Sequence, residues 1–468
     1  MSWSFFGSSD PDRMGEGDGG FESLFMGESR WYSAEFLYTD NQRLPDTAFE
    51  VQGGVILQRK PISALSDEES AKLVHYSGCA ITPGFVNSHN HSFQSLLKGI
   101  CDDADFFTWR DDGLYKYARL MTADDLYAGA MFAFAEMLKC GITTVCDFFY
   151  INDQANDNAK AIIAAARDLG IRLTMARTLY DWDGAPDRFI ESVDVAVANT
   201  QALMDDYAND PLVHVVPAPH SLHGASEALI KAGCELSAAY HRPFHMHIAE
   251  GQYERQMMLD KHGLTPIQYL DKLGVLTDRL VGIHCVWLDD TDIDRMAGAG
   301  TKLSYNPSSN MALGDGVTKI RQMLDAGITI SLGTDGGSSN NRASIIEEMR
   351  MCNLLQKVVL CDATQSTAEE AFLMGTRHGG TNLGLPLGSL SAQHAADFVV
   401  FNLDDLSLQP DPQLHFGKHV VYAVQPEAID AVYVAGQRIV ERGHIVTVPD
   451  TVVVDLVKTT MNGMRERL

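Results

Sequence analysis

Long apolar stretches are missing from this chain. No uninterrupted run approaches the roughly 18–20 residues of a membrane span, which sets aside a membrane-embedded role. Basic charge is scarce too: 36 Lys and Arg stand against 62 Asp and Glu, a net charge of −26. So acidic a surface repels phosphate backbones and anionic bilayers, so neither nucleic acid nor membrane is an expected partner. A small molecule is better matched. Cysteine is sparse and unpatterned: Cys79, Cys101, Cys140, Cys146, Cys234, Cys285, Cys352 and Cys361 form no CxxC pair. Most sit in apolar runs, which excludes a disulfide scaffold and suits free thiols in a reducing compartment. The opening MSWSFFGSSD lacks the basic and apolar regions of a secretory signal, so a cytoplasmic location is expected. No GxGxxG follows the first strand and no Walker loop occurs, which removes the usual nucleotide folds. No short solenoid repeat is present.

What is present is ordinary globular composition, 45% hydrophobic over 468 residues, enough for one large core and a satellite. Residues 1–29 are rich in Gly, Ser and acids and are expected to form a flexible extension. Short alternating runs over 30–80 suit small antiparallel strands, and a matching pattern returns over 395–450. The two ends can therefore pair into one small sheet domain. A closing helix is expected over 451–468. Between the ends, over 81–394, eight β-type runs alternate with helix-length segments. The runs are CAITPGFVNSH, GITTVCDF, IRLTMART, LVHVVPAPH, RPFHMHIAE, LVGIHC, TKLSYNP and ITISLGTD. Eight strand–helix units fit an α/β fold of the closed (β/α)8 TIM-barrel type better than an open sheet.

The polar residues at the ends of these runs carry the chemistry. Run one ends in His89-Asn90-His91, run four in His220, run five in His247 with Glu250 beyond it. Run six ends in His284, run seven in Asn306 and run eight in Asp335. Side chains two apart on a strand share a face, and a barrel gathers its strand ends on one rim. His89, His91, His247 and Asp335 then offer three nitrogens and one oxygen, a shell suited to a single Zn²⁺, or to Fe²⁺. Such an ion makes hydroxide available near neutral pH. Glu250 is placed to carry a proton from attacking water to a leaving nitrogen, Asp335 to take the first proton, and His284 and His220 to polarise the substrate. An HxH alone says little. Five histidines and two acids at the same end of successive strands point to a metal-dependent hydrolase. A metal-free scaffold would have no use for Glu250. His245 reads as a core residue, and His214, His241, His262, His394, His415, His419 and His444 as structural or exposed.

With these residues in place, the chain resembles the amidohydrolase superfamily, most closely the triazine hydrolases and the S-adenosylhomocysteine/methylthioadenosine deaminases. The resemblance rests on PGFVNSHNHSFQSLLKG, APHS, HMHIAE, LVGIHCVWLDD, LSYNPSSNMALGDG, DAGITISLGTDGGSSNN and GTNLGLPLGSL, spanning about 50 to 445. It implies a barrel with a small β-sandwich built from both chain ends, metal ligands at His89, His91, His247 and Asp335, and a homo-oligomer. No lysine stands at strand four to be carboxylated, which implies the one-metal branch. The implied reaction is release of ammonia from an amino-substituted N-heterocycle of purine, pterin or triazine type. A second similarity, to formimidoylglutamate deiminases, implies Gln94, Arg110 and Tyr150 in the substrate pocket and an open-chain formimino substrate. There the family's HSLR arginine is His223, and a neutral imidazole holds a carboxylate poorly beside a bidentate guanidinium. Trp109, with Phe106, Phe107 and Phe148–Tyr150, can instead sandwich a flat ring. Displacement of halide or alkylamine from a triazine is a further expectation, because the same hydroxide serves it.

Overall fold

A computed structural model describes residues 28–468. The extension expected over 1–29 lies outside the described residues except for its last two positions. Five strands open the described chain: β1 (Arg30–Thr39), β2 (Gln42–Pro45), β3 (Thr47–Gln52), β4 (Val55–Pro61) and β5 (Leu73–Pro83). Gly53 and Gly54 turn the β3–β4 hairpin at φ 59° and 77°, a region glycine enters without penalty. Eight strands follow: β6 (Phe85–Asn90), β7 (Ile142–Phe149), β8 (Arg172–Leu179), β9 (Val213–Pro219), β10 (Phe244–Ile248), β11 (Leu280–His284), β12 (Lys302–Tyr305) and β13 (Ile330–Leu332). The last four are β14 (Phe398–Asn402), β15 (Ile429–Val434), β16 (Gln437–Glu441) and β17 (His444–Ile445).

Both chain ends share one nine-stranded sheet, ordered β17-β16-β15-β14-β5-β1-β3-β4 with β2 on β1. The joint is the antiparallel β14–β5 pair, with Phe398 opposite Pro83. One expectation is corrected here. The run Cys79–His89 is two strands, with Cys79–Pro83 completing β5 and Phe85–Asn90 forming β6 in a different sheet. The break falls at Gly84, whose N–H donates to the Asp397 carbonyl at 2.9 Å. A Cβ there would lie 2.1 Å from Thr143 Oγ1, so only glycine lets the chain pass.

The middle of the chain forms two four-stranded parallel sheets, β6-β7-β8-β9 and β10-β11-β12-β13. Strands β6, β7 and β8 are buried along their whole length, as parallel strands covered on both faces must be. Helices Ala123–Lys139 and Asp157–Leu169 cover them. The first starts at a Thr122–Asp125 capping box and the second stops at Gly170, at φ 83°. The edges of the two sheets touch twice: the His247 N–H donates to the His220 carbonyl at 3.0 Å, and the Asp335 N–H to the His89 carbonyl at 3.0 Å. A bidentate pair between Arg172 and Asp397, at 2.8 and 3.0 Å, ties β8 to the nine-stranded sheet. The final helix, Asp450–Arg467, lies on Ala123–Lys139 through Lys139–Asp450 at 2.6 Å. All eight cysteines are free thiols among the described residues, with Cys361 exposed rather than buried. No helix among them is long and apolar enough to cross a membrane.

Candidate active site

The carboxyl ends of the parallel strands bring together the polar residues named at the ends of six of the eight runs. Three of the turns out of these strands use non-glycine residues in the left-handed region, Ala249 at φ 49°, His284 at 66° and Asp335 at 59°. Strain of that kind persists where the surroundings over-determine it, which is common at functional sites. The rings of His89, His91 and His247 cluster with centroids 4.7, 4.9 and 5.5 Å apart. Asp335 Oδ1 lies 3.3 Å from His89 Nε2 and 3.4 Å from His91 Nε2. Glu250 Oε1 is 3.5 Å from His284 Nε2. Three overlapping groups, His89–His247–His284, His89–His91–Asp335 and Glu250–His284–Asp335, each have donor atoms within 4.8 Å of one another.

Hydrogen bonding gives these groups their chemical form. His91 Nδ1 meets the Phe148 carbonyl at 2.6 Å and His247 Nδ1 the His220 carbonyl at 2.9 Å. A carbonyl only accepts, so each Nδ1 carries the hydrogen and each Nε2 keeps its lone pair, the arrangement of a metal-binding histidine. His89 is fully buried, and neither of its ring nitrogens has a hydrogen-bond partner among the described residues. Such an orphan is costly unless a cation takes its lone pair. Burial pushes His89 down to about 3 and, with the facing imidazoles, His247 well below the usual range, so both are neutral. Burial raises Asp335, but His89, His284 and His91 outweigh it and hold the carboxyl well below its ordinary value. Burial, followed by the Asp315 and Asp335 charges, holds Glu250 well above the carboxylate range. Three neutral nitrogens and one ionised oxygen fit a divalent metal ion.

A cavity opens over the cluster. His91, His247, Glu250, His284 and Asp335 line it together with Gln94, Trp109, Arg110, Tyr150, His220 and His223, while His89 is fully buried and does not line it. Every expected site residue except His89 therefore reaches the same space. Gln94 spends its amide on scaffolding, donating to the Tyr150 hydroxyl at 2.8 Å and accepting from Ser338 Oγ at 2.7 Å. Trp109 Nε1 donates to the Ser338 carbonyl at 3.1 Å. Arg110 pairs with Asp111 at 2.7 Å and stacks over Phe107, Tyr115 and Trp182. His223 Nδ1 is held by the buried Glu254 at 2.7 Å. Of the aromatics expected to hold a ring, Phe106, Trp109 and Tyr150 line the cavity, whereas Phe148 and Phe149 are fully buried packing.

Residues 80–439 match the amidohydrolase family. The chain belongs to that family. Among amidohydrolases it is 30% identical over 413 residues to a 5'-deoxyadenosine deaminase of Methanothermobacter thermautotrophicus, covering 86% of this chain and 93% of that protein. It is 32% identical to a 5-methylthioadenosine/S-adenosylhomocysteine deaminase of Syntrophus aciditrophicus, covering 85% of this chain and 88% of that one. A zinc-bound adenosine deaminase from Xanthomonas campestris superposes with TM-score 0.85 at 25% identity, over 93% and 98% of the two chains. The atrazine chlorohydrolase of Arthrobacter aurescens with zinc gives 0.85 at 26%, over 92% and 99%.

Several contributors to this amidohydrolase site were not singled out by the sequence. Ser309 Oγ donates to Asp335 Oδ2 at 2.6 Å. Asp147, pushed up to about 7 by burial, accepts from Ser92 N at 2.6 Å and Ser92 Oγ at 2.7 Å, fixing the segment that follows His91. Glu254 supports His223 and also accepts the Ala249 N–H at 2.6 Å. The only signal for Ser309 is the polar cluster NPSSN just past a strand end, and Asp147 hides inside an apolar run.

Proposed function

We propose that this amidohydrolase is a zinc-dependent aminohydrolase that releases ammonia from the exocyclic amine of an adenine-type ring carried by a nucleoside. The observation that carries the reading is the buried, unpartnered His89 beside Asp335, with the His91 and His247 lone pairs turned to the same space. His89, His91, His247 and Asp335 would hold the ion, and Fe²⁺ is the other ion that fits this donor set. The fold reading is a closed (β/α)8 barrel, supported by the two contacts between sheet edges. A small β-sandwich is supported by Phe49 and Phe398, whose rings lie 5.1 Å apart although their strands are three places apart in the sheet. Strands spaced about 4.8 Å apart bring such rings together only when the sheet curls over a core of its own. That core holds Tyr32, Leu37, Ile81 and Tyr433 as well.

The bound ion supplies an activated water near neutral pH. The chain supplies the rest. Glu250 faces the space between His284 and Asp335 and transfers a proton to the departing nitrogen, so that ammonia leaves as a neutral molecule. His284 stabilises negative charge that develops at the reacting carbon's substituent. Phe106, Trp109, Tyr150 and His220 line the space the ring would occupy and offer it apolar and aromatic faces. The curated relatives are adenosine-type deaminases by name, which favours a ring substrate over an open-chain formimino acid. The absence of a guanidinium at His223 favours it independently.

The test is ammonia release from adenosine, 5'-deoxyadenosine, S-adenosylhomocysteine, aminotriazines and formimino-amino acids, with metal content measured in parallel. Glu250→Gln should keep its metal and lose roughly 100-fold or more of its turnover. Wild-type turnover in that variant, or preference for the formimino acid, would overturn the reading.

A further inference from the structure

We infer that Asp315 is a positioning residue for this reaction: through the Asn310 amide it fixes the His284 hydrogen on Nε2 and so keeps His284 out of the metal's ligand set. The inference rests on the role given to His284 above. The Asn310 amide nitrogen lies 3.1 Å from Asp315 Oδ2 and 3.0 Å from His284 Nδ1, and all three side chains are buried. An ionised carboxylate only accepts, so the amide turns its nitrogen, not its oxygen, towards Asp315. The second amide hydrogen then points at His284 Nδ1, which must receive it with a lone pair. Asn306 Nδ2 approaches the same atom at 3.3 Å. Asn310 Oδ1, on the other side of the amide, has no partner among the described residues.

A neutral imidazole carries one hydrogen, so His284 carries it on Nε2. That nitrogen lies 3.5 Å from Glu250 Oε1 and 3.8 Å from Asp335 Oδ2. His91 and His247 show the opposite case. Their Nδ1 atoms meet carbonyls, which only accept, and their Nε2 atoms are bare. Geometry alone would admit His284 as a ligand, because its nitrogen groups with those of His89 and His247. The hydrogen on Nε2 excludes it and makes that nitrogen a donor to the substrate instead. Asp315 is itself anchored, its N–H donating to the Asn310 carbonyl at 2.9 Å and its carbonyl receiving Trp287 Nε1 at 2.8 Å. Without its carboxylate the Asn310 amide is free to flip, presenting oxygen to His284 and drawing the hydrogen to Nδ1.

The measurement is ¹⁵N NMR of histidine-labelled, metal-loaded protein, with the His284 signals assigned by their loss in His284→Gln. Burial pushes Asp315 up to about 7, so spectra are taken at about pH 8.5, where it is ionised. The wild type should show His284 with Nδ1 bare and Nε2 protonated. Asp315→Asn, which offers its own N–H to a flipped Asn310, should move the hydrogen to Nδ1. Its kcat should fall roughly tenfold or more, with KM and metal content within about twofold, and Asp315→Glu should restore the wild-type tautomer. A wild-type His284 protonated at Nδ1, or an unchanged tautomer in Asp315→Asn, overturns the inference. The wild-type spectrum decides even if Asp315→Asn fails to fold. The tautomer is read without substrate, so a protein with the expected tautomer and no ammonia release would refute the proposed function alone. An active enzyme with the hydrogen on Nδ1 would refute this inference alone.

Discussion

Glu348 lets the electrostatics of the site's support be tested without any substrate. It lies on helix Ile345–Val359, 1% exposed, and accepts from Ser308 N at 3.0 Å and Asn340 Nδ2 at 2.8 Å. It thereby joins the segment after β12, which carries Ser309 and Asn310, to the loop after β13, which carries Asp335. Burial pushes its carboxyl up to about 8. In the unfolded chain a glutamate titrates near 4.3. Below that pH both states hold the proton and Glu348 costs nothing. As the pH rises from about 4.3 to about 8 the unfolded chain gives up a proton that the folded protein retains, so stability declines through this window and then levels off. At about 1.4 kcal/mol per pH unit, the loss between pH 5 and 7.5 is about 3 kcal/mol. Glu348→Gln removes the ionisation. Its amide can satisfy only one of the two donors, a pH-independent cost of about 1 kcal/mol. Urea unfolding of both proteins at several pH values separates these terms, because every other group titrates alike in the two. The variant should gain about 3 kcal/mol on the wild type between pH 5 and 7.5, whatever its starting offset. Parallel stability curves would mean that Glu348 is ionised in the folded protein, and the reasoning from burial would fail.

Ser309→Ala removes a hydrogen bond of 2.6 Å to Asp335 and should weaken metal binding roughly 10- to 100-fold in a competition titration with a chromophoric chelator. Unchanged affinity would take Asp335 out of the ligand set or Ser309 out of its support. Arg110→Met should raise KM for an anionic nucleoside about tenfold while leaving that of a neutral one within about twofold. Equal effects would mean that the Asp111 pair has already neutralised Arg110 and that its guanidinium serves only to pack.

How far the site was legible follows from what kind of order the sequence carries. The ligand-type residues stood out because strands alternate with helices, so polar groups fall at the same end of successive parallel strands, and His89, His91, His247 and Asp335 lie within reach of one another. Gly84 was missed as a boundary because Pro83-Gly84 sits inside a continuous apolar run. What breaks the strand there is the approach of Thr143 from a neighbouring strand, a contact absent from the local pattern. Asp147 was missed for a related reason: amid ITTVCDFF one carboxyl does not interrupt a strand, and its use appears only when Ser92 arrives from another strand end. Ser309, Asn310 and Asp315 are harder still. In loops, Asn, Ser and Asp are the ordinary makers of turns, and nothing in the letters separates a turn from a relay. The residue types at strand ends determine which groups meet around an ion. Which nitrogen of each imidazole carries the hydrogen is decided one contact further out, by whether its neighbour is a carbonyl that accepts or an amide nitrogen that donates. His247 and His284, on adjacent paired strands, fall on opposite sides of that divide because one leans on the His220 carbonyl and the other on Asn310.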